Sequence, residues 1–333
     1  MSDAAQKTSS KLAVVGAGAW GTTLAVLLAQ VNSEQNITLW ARRPEFAQKL
    51  REERENRTYL PGLALPANIH VTSDLEEVEN AQTFIVVPSK GLRAVMERLP
   101  AVPALICCAK GLELGTFKRF SEVLGEYQPD AALAALSGPN LAKEIAAGLP
   151  ASATVASKNV TLTHEVQRSL SGPTFRVYSS RDLIGVEVSG ALKNVIALAA
   201  GMCDGLSLGD NAKATIITRG LAEIVRLGTH LGGEMQTFYG LAGLGDVVAT
   251  CSSSGSRNHT AGERVARGHT LADLERDKLN AEGIPTVRAV VDYAQKEGLE
   301  LPISQEVYRV VFEQKSPRQA LHDLMTRGTK AEW

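Results

Sequence analysis

Gly16-Ala17-Gly18-Ala19-Trp20-Gly21 spells G-x-G-x-x-G between a short apolar run, Lys11–Val15, and a helical apolar stretch, Thr22–Gln30. That context constrains the fold more than any other feature of the chain. A glycine at Gly16 permits a tight turn off a strand, Gly18 lets a pyrophosphate approach the backbone, and Gly21 lets helix and strand pack closely. The first turn of the helix offers unpaired N–H groups and the positive end of its dipole to phosphates. The alternative is a strand–helix turn that uses the same glycines for packing and holds no ligand. In this context the motif predicts a dinucleotide-binding βαβ unit.

The rest of the first half has the matching texture. Ile37–Trp40, Thr83–Val87 (stopped by Pro88), Ala104–Cys108, Ala132–Leu136 and Ala153–Ala156 are short apolar runs separated by helical patterns. They predict a mostly parallel sheet covered on both faces. The texture changes near Ser180. From Asp182 onward the periodicity is helical, with Val186–Ala200 and Lys213–Leu227 as buried helices and with Pro285 and Pro302 near helix starts or loops. A chain of 333 residues suits two domains. The expected architecture is an α/β domain over residues 1–181 and an all-α domain over residues 182–333.

Charge and composition exclude other classes. With 35 basic and 36 acidic residues the net charge is −1, which favours neither nucleic acid nor an anionic membrane as partner. Cys107, Cys108, Cys203 and Cys251 form no C-x-x-C pair and no disulfide framework, and the six histidines show no metal-ligand spacing, so no metal is expected. Met1–Ser10 is polar, unlike a signal peptide. The most apolar helix-like stretch, Ala191–Met202, contains Lys193 and Asn194 and is too short for a bilayer. The chain is therefore expected to be soluble and cytoplasmic.

Four polar features stand out against this background. The second strand ends Trp40-Ala41-Arg42-Arg43, where an NAD-specific site usually places an acid, and arginines there suit a 2′-phosphate or are a solvated pair. Lys110-Gly111 follows a strand end, where open α/β sheets bind ligands, although a surface lysine beside a turn glycine reads the same way. Lys193-Asn194 interrupts a strongly apolar helix, and one helix face cannot readily expose both. Snorkelling to the surface is the alternative for the lysine. Last, Gly243-Leu244-Gly245-Asp246 precedes a Ser/Gly-rich stretch from Thr250 that ends in Ser256-Arg257-Asn258, read as a loop whose guanidinium suits a phosphate or as a flexible surface loop.

Together these segments resemble the NAD(P)-dependent glycerol-3-phosphate dehydrogenase family. The likeness runs in order over nearly the whole chain: Gly16–Gly21, Tyr59-Leu60-Pro61-Gly62, Val87-Pro88, Lys110-Gly111, Ser137-Gly138-Pro139, Ala191–Asn194, Gly243–Asp246 and Ser256-Arg257-Asn258. The resemblance implies a Rossmann-type N-terminal domain, a helical substrate domain, commonly a homodimer, and interconversion of sn-glycerol 3-phosphate and dihydroxyacetone phosphate with NADP or NAD, supplying glycerol 3-phosphate for phospholipid synthesis. It implies Lys193 as the proton acceptor, with Lys110 and Asp246 beside it. Gly138, Asn140, Asn194, Ser256, Arg257 and Asn258 would line the substrate, with Lys110, Lys193 and Asp246. Gly16, Gly18, Ala19, Trp20, Gly21, Arg42, Arg43, Tyr59, Lys110, Ala142, Arg257, Asn280 and Glu282 would contact the cofactor. Asn140 stands where the family often has Ser or Thr, and Asn280-Ala281 replaces a usually aliphatic pair. Two other readings remain at this point. A dehydrogenase for a different hydroxy acid would not need the Ser256–Asn258 segment, and a non-catalytic nucleotide sensor would not need Lys110, Lys193 and Asp246 together.

Overall fold

The computed structural model describes residues 11–329, 331 and 332. The reading of Met1–Ser10 lies outside the described residues. The chain divides into two compact units. Among the described residues the first comprises 11–109 with Ser121–Leu136 and Asn140–Arg181, and the second comprises Lys110–Phe120, Ser137–Pro139 and those from Asp182 onward, so two short segments of the first half depart from the single boundary at 181/182 that the sequence suggests.

The first unit is built on an eight-stranded sheet: β1 (Lys11–Val15), β2 (Ile37–Trp40), β3 (Ile69–Thr72), β4 (Ala81–Ile85), β5 (Ala104–Cys107), β6 (Ala132–Ser137), β7 (Ala151–Ala156) and β8 (Phe175–Ser180). Their order is β3-β2-β1-β4-β5-β6-β7-β8. The β1–β2, β2–β3, β1–β4, β4–β5, β5–β6 and β7–β8 pairs are parallel. The first six strands thus have the doubly wound order 3-2-1-4-5-6, which reverses direction between β1 and β4 and opens a crevice at their carboxyl ends. All of β4 and β5 is buried, as are four of the five residues of β1, because helices cover both faces. Helices α1 (Ala19–Val31), α2 (Pro44–Glu53), α3 (Leu92–Met96), α4 (Phe120–Tyr127), α5 (Ala142–Ala146) and α6 (Val160–Leu170) alternate with the strands. Leu24, Leu28, Leu39, Phe84, Ile106 and Phe175 lie in the core between the layers.

Two strands were absent from the sequence reading, and one is displaced. β3 and β8 were not expected, and β4 begins at Ala81 rather than Thr83. Buried Gln82 conceals the start of β4, where its amide donates to Glu165 Oε2 at 3.2 Å. Helix α1 also begins earlier than the apolar pattern suggested, at Ala19 inside the glycine motif.

In the second unit the described residues after Ser180 form helices and turns: α7 (Leu183–Gly205), α8 (Gly209–His230), α9 (Met235–Phe238), α10 (Asp246–Ser252), α11 (Arg257–Ala266), α12 (Leu271–Arg276), α13 (Gly283–Glu297), α14 (Pro302–Phe312) and α15 (Pro317–Met325). Asp182 caps α7, its carboxylate accepting from Gly185 N at 2.7 Å. Every residue from Gly185 to Cys203 is buried, and α8, α10, α11, α13 and α14 surround α7. The helix extends beyond Ala191–Met202 on both sides. At 23 residues it is, contrary to the sequence reading, long and apolar enough to cross a membrane, but 94% of its most apolar 18-residue window is buried inside the protein. It is the core helix of this unit, and any polar residue on it must find its partners within the protein.

Candidate functional site

In the first unit the glycine motif occupies the carboxyl end of β1. Gly16 adopts φ +119°, and a Cβ there would sit 2.6 Å from the Val86 carbonyl oxygen. A Cβ on Gly21 would sit 1.8 Å from the Gly16 oxygen. Both glycines are therefore required by the protein's own packing. Gly18 differs: a Cβ there would meet nothing within 4 Å, and Gly18 is the N-cap of α1, with no side-chain cap. Its missing side chain leaves space beside free backbone N–H donors at a helix start, which fits a pyrophosphate. Asn56, absent from the sequence reading, braces this turn. Its fully buried amide donates to Ala17 O at 3.1 Å and to Thr22 Oγ1 at 2.7 Å.

The other first-unit candidates are placed as follows. Arg42 and Arg43 are both exposed, and the Arg43 guanidinium lies 5.3 Å from the Phe46 ring centroid. Phe46 in turn meets Tyr59 edge-on at 5.6 Å. Ala19 and Trp20 open α1, with the Trp20 ring tilted against Phe175 at 6.4 Å. Asn140 donates to Ser152 O on β7 at 3.1 Å, and its Oδ1 is buried without a hydrogen-bond partner. Ala142 opens α5, and its carbonyl accepts from Thr23 Oγ1 on α1 at 3.3 Å.

In the second unit hydrogen bonds draw six candidates together, with Thr250 and Gly283. Lys193 projects from α7 and donates to Asp246 Oδ1 at 2.8 Å and Thr250 Oγ1 at 2.6 Å. Asp246 opens α10, directly after a π-helical turn over Leu241–Gly245. Its Oδ2 accepts from Lys110 Nζ at 2.6 Å, and Lys110 also donates to Gly138 O at 2.9 Å. One carboxylate therefore bridges two ammonium groups. Asp246 is 2% exposed and Lys193 8%, while the Lys110 side chain keeps 18%. The sequence suggests that Thr250 starts a polar loop, but it belongs to α10. It lies one helical turn after Asp246, and its hydroxyl also approaches Asp246 Oδ1 at 3.1 Å. The Asp-x-x-x-Thr spacing on one helix face was the available signal.

This arrangement sets the protonation of the pair. Burial pushes the Lys193 pKa down, Asp246 opposes the change, and the nearby Lys110 cation adds to it; the result is about 8. Burial works to raise the Asp246 pKa, but the two lysines outweigh it and hold the carboxyl below its ordinary value. Asp246 is thus a fixed anion. Lys193 is a base that changes protonation near physiological pH, the property wanted of a general acid–base.

Beside Lys193, the Asn194 amide has a defined direction. Gly283 N–H can only donate, and it donates to Asn258 Oδ1 at 2.8 Å. Asn258 must then turn its Nδ2 outward, where it donates to Asn194 Oδ1 at 2.8 Å. The remaining group of Asn194 is its NH2, a donor, one hydrogen of which reaches Gly190 O at 3.5 Å and the other of which is left for a further acceptor. Asn258 thus orients Asn194 and ties it to the start of α13, where Glu282 is the N-cap residue. The expected loop is shorter than the sequence suggested, because Thr250–Ser252 belong to α10 and Arg257 already opens α11. Ser256 is the buried N-cap of α11, its hydroxyl accepting from His259 N at 3.3 Å. Arg257 is exposed, and so is Asn280.

Comparison with known proteins covers both units. Residues 11–163 match the family model for the N-terminus of NAD-dependent glycerol-3-phosphate dehydrogenase, and residues 182–322 match that for its C-terminus. A protein of Thermus thermophilus, named glycerol-3-phosphate dehydrogenase [NAD(P)+], is 50% identical over 330 residues, covering 97% of this chain and 100% of that one. One of the same name from Chlorobium limicola is 47% identical over 331 residues, covering 96% and 99%. The crystal structure of glycerol-3-phosphate dehydrogenase from Coxiella burnetii is similar with a TM-score of 0.89 and 36% identity, covering 96% of this chain and 99% of that one.

Proposed function

Because the chain belongs to the NAD(P)-dependent glycerol-3-phosphate dehydrogenase family, we propose that it interconverts sn-glycerol 3-phosphate and dihydroxyacetone phosphate with NAD(P)(H). The observation that carries the chemistry is a buried lysine, Lys193, with a pKa of about 8, bonded to an Asp246 carboxylate that it shares with Lys110. When bound, the nicotinamide cofactor supplies or takes up the hydride at the substrate's central carbon. The protein's task is the charge and the proton at the neighbouring oxygen.

During reduction, negative charge grows on the carbonyl oxygen. The Lys193 ammonium stabilises that charge and donates its proton; in the oxidative direction neutral Lys193 accepts the hydroxyl proton. Lys110 adds a second positive charge, and Asp246 fixes both ammonium groups while remaining ionised. The NH2 of Asn194 offers a neutral donor to substrate oxygen. Arg257 carries the bidentate donor suited to a phosphate, and Gly138, Asn140, Ser256 and Asn258 complete the substrate contacts we assign. Gly16, Gly18, Ala19, Trp20 and Gly21 hold the cofactor pyrophosphate, and Arg42 and Arg43 hold the 2′-phosphate of NADP. Tyr59, Ala142, Asn280 and Glu282 are further cofactor contacts, with Lys110 and Arg257. We keep the division into a dinucleotide domain, 1–181, and a substrate domain, 182–333, as a proposal; the start of the second matched model at residue 182 supports it, while Lys110–Phe120 and Ser137–Pro139 pack with the second unit. We place the enzyme in the cytoplasm as a homodimer, where its product feeds phospholipid synthesis.

The test is oxidation of NADH and of NADPH in the presence of dihydroxyacetone phosphate, unphosphorylated dihydroxyacetone and a panel of keto acids. Dihydroxyacetone phosphate is expected to be the substrate, with little turnover of the others. Equal kcat/KM for phosphorylated and unphosphorylated ketone would reject the substrate assignment.

A further inference from the structure

Gly190 lies three residues before Lys193 on α7, inside the fully buried run of that helix. Glycine in a helix interior is less stable than alanine, so its presence calls for a neighbour that needs the space. The structure supplies one. A Cβ on Gly190 would sit 2.8 Å from Ser137 Oγ, 3.4 Å from Lys110 Cγ and 3.7 Å from Lys110 Cδ. The bare Cα is thus covered by the Lys110 stem and by the residue preceding Gly138, whose carbonyl receives the Lys110 ammonium. Ser137 Oγ is buried and makes no hydrogen bond, so it does not anchor that segment by polar contact.

We propose that Gly190 is a positioning residue for Lys110, its missing side chain leaving room for Ser137 and so setting where the adjoining Gly138 carbonyl holds the Lys110 ammonium against Asp246. The proposal rests on the dehydrogenase reading above and adds to it. An added methyl group clashes with Ser137 Oγ and meets the Lys110 stem at ordinary contact distance, so it is Ser137 that must shift, and with it the adjoining Gly138 carbonyl that holds the Lys110 ammonium. Lys110 Nζ then draws away from Asp246, and a larger share of that carboxylate falls to Lys193. Lys193 loses a neighbouring cation at the same time. Both changes make it hold its proton more tightly. The groups facing Lys193 are Asp246, Thr250 and Cys251 on α10 and Lys110. Burial pushes the Cys251 thiol up to about 12, so that it stays neutral over the range of interest.

The experiment measures the pH dependence of glycerol 3-phosphate oxidation, with melting temperatures, for wild type, Gly190→Ala, Ser137→Ala and the double variant. Oxidation needs neutral Lys193 and rises with pH through its pKa. Gly190→Ala is expected to move this rising limb up by about half a unit to one unit, which lowers the rate at pH 7 by roughly three- to tenfold. Its melting temperature should hold and its KM for cofactor should stay near wild type. Ser137→Ala alone should leave the limb in place. In the double variant the clash is gone, and the limb should return to its wild-type position. An unmoved limb in folded Gly190→Ala, or a uniform rate loss with a lower melting temperature, overturns the role. If the single variant does not fold, a limb displaced in the double variant, where the clash is relieved, overturns it. A limb displaced as far by Ser137→Ala alone also overturns it, since the effect then belongs to Ser137. A wild type that turns over no glycerol 3-phosphate rejects the dehydrogenase reading and this role with it.

Discussion

Lys110→Met removes one of the two ammonium groups on Asp246 and keeps an unbranched stem against α7. Asp246 retains Lys193 as its partner, so no buried charge is stranded. Lys193 feels two changes of the same sign: the Lys110 cation no longer lowers its pKa, and Asp246 no longer divides its charge between two lysines. A neighbouring unit charge at this range shifts a pKa by about one to three units. A rise of about two units from the present value of about 8 is the working figure. At pH 7 the neutral fraction of Lys193 then falls from roughly a tenth to roughly a thousandth, about two orders of magnitude. Glycerol 3-phosphate oxidation at pH 7 should fall by that factor, and by more to the extent that Lys110 itself stabilises the developing charge. The first loss is recoverable by raising the pH towards 10, and the second is not. In the reductive direction the falling limb, where Lys193 loses its proton, should also move up. The assay is steady-state kcat/KM in both directions from pH 6 to 10.5, and limbs that stay near pH 8 in folded Lys110→Met would refute the electrostatic account.

Three further outcomes are expected. Arg257→Ala should lower kcat/KM for dihydroxyacetone phosphate by one to two orders of magnitude, the loss of a charge-assisted contact worth roughly 1.5–3 kcal/mol, and should leave melting unchanged because Arg257 is exposed; an unchanged kcat/KM would show that Arg257 faces solvent throughout. Replacing Arg42 and Arg43 together by alanine should weaken NADPH binding far more than NADH binding, measured by titrating both cofactors, and equal losses would show that the pair does not read the 2′ position. Glu223→Ala strips the buried carboxylate that accepts from Ile303 N at 2.5 Å and from Ser304 N and Oγ at 3.0 and 2.7 Å. The orphaned donors at the start of α14 should cost about 2–4 kcal/mol, a fall of roughly 5–10 °C by calorimetry, and an unchanged melting temperature would show that the donors find other partners.

What the sequence revealed follows from which physical signals are local. The glycine turn was legible because three glycines, a strand and a helix start stand within a few residues, and so were the central strands, whose burial on both faces leaves continuous apolar runs. β3 and β8 were not, because they are the edge strands of the sheet and have alternating burial: Ile69–Thr72 exposes His70, and Phe175–Ser180 exposes Arg176 and Tyr178. Lys193 and Asn194 drew attention because polar groups in a buried helix need partners, but the partners come from residues 53 and 64 positions away. Thr250 was hidden by the serines after it, which made the end of a helix look like a loop. The direction of the Lys193 shift required distances to both Asp246 and Lys110, which no spacing rule supplies. The orienting role of Asn258 depends on a backbone N–H at Gly283, 25 residues on.

The most direct test of the account is the turnover of dihydroxyacetone phosphate by Lys193→Ala beside wild type, with cofactor affinity measured separately on each. Loss of a general acid–base should lower kcat by at least about 10²-fold, while cofactor binding, assigned to the glycine turn and the arginines, changes little. Near-wild-type kcat from a folded Lys193→Ala enzyme would contradict the account, because the proton would then be moving through another group.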